Sequence, residues 1–201
     1  STATRFEKRP DDGYGWFQWS HSPTPGETDK HNAYHHWLKS EKGVDPDELF
    51  GGDLGFIGAG APEELHQTTW CAEMACRFIN EKKDVAWLLS VNPYDPHPPF
   101  DPPQSYLDRY DPDDLPPPLF RESDLERQKM FENVRAQTVR AANPLADDEK
   151  KEVASSQPER GYRPPESYNG RKVKAAYYAM VELIDTALGK VMDALEESGQ
   201  L

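Results

Sequence analysis

Apolar residues fall into three runs. Val173, Ala176, Tyr177, Met180, Val181, Ile184, Leu188, Val191, Met192 and Leu195 recur at helical spacing. The spacing predicts a long amphipathic helix over 171–201 that Gly199 stops. Leu65, Thr69, Ala72, Cys76 and Ile79 form a second stripe, widened by Trp70, Met74 and Phe78. Pro62-Glu-Glu supplies a helix start before it, so a helix is expected from Pro62 to about Lys83. A stripe that wide predicts burial against a sheet. Val85–Val91 (VAWLLSV) is short and almost continuously apolar, as in a parallel strand covered on both faces. Helix, strand and loop in that order are the rhythm of an α/β domain. In open α/β sheets the ligand sits beyond the carboxyl ends of the strands, which is where His97 would fall.

The remaining stretches are less periodic. Residues 1–62 read as loop, with a short helix over Asn32–Leu38. Residues 93–118 hold ten of the nineteen prolines, so neither helix nor central strand is expected there. Such a loop is stiff, which lowers the entropy lost in fixing a side chain. Residues 119–142 have mixed helical character, and 143–170 read as a polar covering loop. There is no internal repeat. The whole of 1–201 is expected to be one partial domain: a loop-rich 1–62, a helix, strand and loop over 63–100, a Pro-rich and polar insertion over 101–170, and the helix of 171–201.

Composition narrows the partners. Hydrophobic residues make up 36% and mean hydropathy is −0.89, so the core should be thin and much of the chain surface. A net charge of −13 repels phosphate backbones and anionic lipid, which argues against nucleic acid and membrane surfaces. No run is long enough to span a bilayer, and STATRFEKRPDD carries no apolar stretch of the signal-peptide kind. Cys71 and Cys76 lie about 140° apart on a helix, so two buried thiols are expected rather than a bridge.

Several side chains could carry chemistry. His97, in SVNPYDPHPPF, is set among prolines beside Asp95, and an imidazole there could move a proton or bond an anion; it could equally cap a proline turn. His21, His31, His35 and His36 cluster with Asp29, and His31 and His35 at i, i+4 would share a helical face suited to a transition metal. Packing around a loop is the competing reading. Asp111-Pro-Asp-Asp114 and Asp147-Asp-Glu149 lack the ligand spacing of a calcium loop and read as solvated turns. Of Tyr177 and Tyr178, one should face the core. No P-loop, dinucleotide glycine motif or nucleophile elbow is present.

The run WLLSVNPYDPHPPFDPPQSYLDRYDPDDLPPP resembles the central segment of the sulfatase family, in the alkaline-phosphatase-like superfamily. KAAYYAMVELIDTALGKVMDALEESGQL is similar to the family helix that precedes a strand ending in Asp-His-Gly. EKRPDDGYGWFQWSHSP is similar to the region after the family's Gly-Lys-Trp-His-Leu motif. The resemblance implies a partial three-layer α/β/α alkaline-phosphatase-like domain with long Pro-rich loops. It implies a catalytic His97 that helps hold the sulfate and acts on the leaving group, with Asp95 as a supporting substrate-binding group. It implies calcium and formylglycine in the full-length parent and a small-molecule sulfate ester as substrate. The Cys/Ser-x-Pro-x-Arg motif that yields formylglycine does not occur here. Ligand status does not transfer to Asp11-Asp12, so this chain is expected to hold no metal. The expectation is the interior of a sulfatase cut at both ends, inactive alone. Alternatives are a phosphonate or phosphate ester hydrolase of the same superfamily, or a non-catalytic His-rich metal-binding or interaction module.

Overall fold

The computed structural model describes residues 13–20, 23, 32–51, 55–81, 83–130, 142–146 and 167–201. Two helices form its frame: α3 (Gln67–Asn80) and α6 (Gly170–Glu197), which pack along one another. Shorter helices surround them: α1 (Ala33–Trp37), α2 (Pro46–Leu49), α4 (Gln104–Leu107) and α5 (Glu122–Lys129).

α6 begins where Asn169 caps it, its side-chain oxygen accepting from the backbone N–H groups of Arg171 and Lys172. It ends as expected at Gly199, whose φ of 68° is left-handed. Its buried face is Ala175, Ala176, Ala179, Met180 and Leu183, whose mostly small side chains allow close approach. The apolar stripe is wider than that contact, and Val181, Leu188 and Met192 stay exposed. Tyr177 and Tyr178 are both partly exposed, so neither is the core residue expected. Their rings meet Phe100 and Tyr110 instead.

The helix expected from Pro62 is divided. A 3-10 turn covers Glu63–Leu65, and His66 then adopts an extended backbone (φ −71°, ψ 144°) before α3 starts. The break lets the His66 ring cap α3 through Nδ1, which accepts the Thr68 N–H at 3.2 Å. The main core lies where α3 meets α1. Tyr34, Trp37, Leu38, Phe50, Trp70 and Met74 pack together, with Trp16 and Cys71 against them. The burial expected against a sheet is therefore made against aromatic side chains and α6. The short helix expected over Asn32–Leu38 is present as α1, and a π turn, Leu38–Lys42, extends it.

The strand expected over Val85–Val91 does not form. Val85 is 74% and Leu88 77% exposed, and among the described residues no neighbouring strand runs beside them. A parallel strand is held by bonds to neighbours on its edges, and without them the run is an extended, unpaired segment. Trp87 ties it down, its indole donating to Gln200 Oε1 at 3.0 Å and its ring meeting Phe78 edge-on. The Pro-rich stretch does contain helix, contrary to expectation. α4 occupies its proline-free Gln104–Leu107, with Pro103 at the cap position where no N–H is needed, and a 3-10 turn covers Pro112–Asp114.

Candidate functional site

His97 sits at the apex of a turn that follows the extended segment. The peptide bonds Asp95–Pro96 and Pro98–Pro99 are cis, and the His97 N–H donates to Tyr94 O at 3.2 Å. The ring is exposed. Its Nδ1 lies 2.6 Å from Pro98 O. A carbonyl only accepts, so Nδ1 carries the proton and Nε2 presents a lone pair in the neutral ring, or a second donor in the cation. The Tyr94 ring lies 4.6 Å away, and its hydroxyl donates to the same Pro98 carbonyl at 3.3 Å. The expected position beyond a strand is corrected: no strand supports this turn among the described residues, and other groups hold it.

Those groups come from two sides. Phe56–Gly60 runs alongside, with Phe100 N–H donating to Phe56 O (3.0 Å), Gly58 N–H to Phe100 O (3.1 Å) and Gly60 N–H to Pro102 O (2.9 Å). Gly60 is required there, because a Cβ would sit 2.0 Å from the Asp101 carbonyl oxygen. From the other side, the start of α3 supplies Gln67, whose Oε1 accepts the Tyr94 N–H at 3.2 Å, and Thr68, whose hydroxyl donates to Asp95 Oδ2 at 2.8 Å.

Asp95 is thus on the same turn as His97 but buried, and it is engaged by α3. Burial raises its pKa, against the opposing pull of His66 and the Thr68 hydroxyl. His66 Nδ1 is 3.7 Å from the same carboxylate oxygen. Burial lowers the His66 pKa, and Nδ1 already accepts a backbone N–H, so this is a neutral imidazole beside a carboxyl group rather than an ion pair. Burial and the nearby Asp95 together push Asp101 up to about 8. The same environment raises Tyr34 well above the usual phenol range and pushes Cys71 up to about 12.

The histidine cluster fares differently. His35 is buried, its Nε2 2.7 Å from Pro23 O, which is a packing role; His36 is exposed and its ring meets Ser40. His21, His31, Asp29, Asp11-Asp12 and Asp147-Asp-Glu149 lie outside the described residues. Asp111 caps the 3-10 turn after it, as a solvated turn would. Among the described residues no three of His, Cys, Asp or Glu converge as a metal site. Cys71 and Cys76 are free thiols, and no described helix is long and apolar enough to cross a membrane. Sequence reasoning missed His66, Gln67, Thr68 and Asp101. The one available signal was a polar His-Gln-Thr-Thr tetrad inside an otherwise apolar helical pattern.

No protein-family model matches the chain. Over 176 residues it is 27% identical to an arylsulfatase of Clostridium perfringens (strain 13 / Type A), covering 84% of this chain and 31% of that protein. The chain therefore spans less than a third of the length of this curated relative. The aligned span covers 84% of the 201 residues, so the turn at 93–101 lies within it. It supports a relationship to sulfatase-type hydrolases.

Proposed function

We propose that this chain is the interior part of a sulfatase, within a partial α/β/α domain, and that His97 is its contribution to hydrolysis of a small-molecule sulfate ester. The similarity to an arylsulfatase over a span that includes the His97 turn carries this reading. The ring geometry supports it. With Nδ1 bonded to Pro98, the exposed Nε2 of an imidazolium can donate to a sulfuryl oxygen and pass its proton to the leaving oxygen as the S–O bond breaks. In the parent, formylglycine would supply the nucleophile and calcium the charge stabilisation, both from outside this chain's described residues. The unpaired Val85–Val91 segment and the exposed stripe of α6 are surfaces that further strands of such a domain would cover. The Asp95 carboxyl, which bonds Thr68, acts on substrate only through the position of the turn.

The test is hydrolysis of 4-nitrophenyl sulfate by the protein encoded by the whole reading frame, with and without His97→Asn. Loss of a proton-transferring group lowers kcat by about 10²–10⁴-fold. Unchanged kcat overturns the role of His97. A preference for 4-nitrophenyl phosphate or a phosphonate ester over the sulfate overturns the sulfatase reading in favour of its phosphoryl-transfer alternative. The 201-residue chain by itself is expected to give no turnover, and metal-dependent turnover by it would overturn the interior-part reading.

A further inference from the structure

Three consecutive polar side chains at the start of α3 are almost fully buried: His66 at 6%, Gln67 at 3% and Thr68 at 1% exposure. Burying polar groups is unfavourable unless each finds a partner, and apolar residues would fill the same space without that demand. Two of the three bond to the turn that carries His97: Gln67 accepts from Tyr94 N–H and Thr68 donates to Asp95. His66 caps the helix, with its Nδ1 3.7 Å from the same Asp95 carboxyl group. The bonds reach residues 94 and 95, just before His97. Gln67 also donates through Nε2 to Ser20 Oγ at 2.7 Å, which ties the same anchor to the segment before α1. Greasy contacts can hold a loop in several registers, whereas a satisfied polar network holds it in one.

We propose that Gln67 and Thr68 are positioning residues whose bonds to Tyr94 and Asp95 fix the orientation in which the turn presents the His97 ring. That this orientation serves catalysis rests on the proposed function. That the clamp sets the orientation does not.

The test reads the His97 ring by side-chain ¹⁵N NMR in the 201-residue chain, at one pH. Thr68→Val keeps the shape and removes the hydroxyl; Thr68→Ser restores it; Gln67→Leu removes the acceptor for Tyr94 N–H. The expected result is a folded Thr68→Val chain by circular dichroism in which the His97 ring signals shift or broaden and its Nδ1–H exchanges about 10-fold faster, the factor one hydrogen bond controls. Thr68→Ser returns both to wild-type values, and Gln67→Leu repeats the loss. Folded variants with unchanged His97 signals overturn the proposal. So does unfolding of both Thr68→Val and Gln67→Leu, which would make these residues general supports. Altered ring signals alongside an active His97→Asn parent would leave the clamp standing and reject the catalytic reading.

Discussion

Replacing Asp101 with Asn tests the buried floor of the site by removing a titratable proton. Burial and the Asp95 carboxylate raise Asp101 from 3.8 to about 8. As pH rises above the ordinary carboxylate value the unfolded chain ionises this group while the folded chain keeps it protonated. Stability from the site is thus full below about pH 4 and is lost until the folded pKa is passed near 8. Each unit of that window is worth about 1.36 kcal/mol, so the span from pH 5 to pH 8 corresponds to about 4 kcal/mol as an upper bound. Asp101 keeps some contact with solvent, and relaxation around a partly exposed group halves the expectation to about 2 kcal/mol. Asn has nearly the same shape and no charge, so Asp101→Asn should gain about 2 kcal/mol over wild type on going from pH 5 to pH 8. Urea unfolding followed by tryptophan fluorescence measures this. His66, with its lowered pKa, pulls wild-type stability the other way below neutrality, but it is common to both chains and cancels in the difference. Parallel pH profiles for the two chains would refute the buried-proton account.

Two further outcomes follow from the same region. Gly60→Ala drives a Cβ into the Asp101 carbonyl, so it should destabilise the chain by roughly 2 kcal/mol or more and perturb the His97 ring signals, read by urea unfolding and NMR of one sample. Cys71, pushed up to about 12, is almost wholly thiol at pH 8, so a disulfide reagent should label the more exposed Cys76 first and Cys71 only upon unfolding, counted by mass spectrometry.

The long helix was legible because its information is local. Asn169 caps it, Gly199 ends it, and the spacing between them is helical throughout. Val85–Val91 is unpaired among the described residues because strand formation is not local. Its apolar content describes a segment fit to be covered, while the ladder depends on chain far away in sequence. The clamp was hidden for a related reason. His is not a favoured helix cap, and what makes Gln67 and Thr68 informative is their bonding to residues some thirty positions on.

His97 itself could be picked out from its frame of prolines, yet the reason first given for its position was the end of a strand. The turn keeps its shape without that strand. Two buried polar side chains, Gln67 and Thr68, hold one flank, and the Phe56–Gly60 backbone holds the other. Prolines restrict what the turn can do, but they leave few N–H groups with which to anchor it. The anchoring has to come from carbonyls, from the Tyr94 and Phe100 amides and from the Asp95 side chain. A Pro-rich turn therefore needs a polar neighbour. Here the capped start of α3, with Thr68 as donor and Gln67 as acceptor, meets that need.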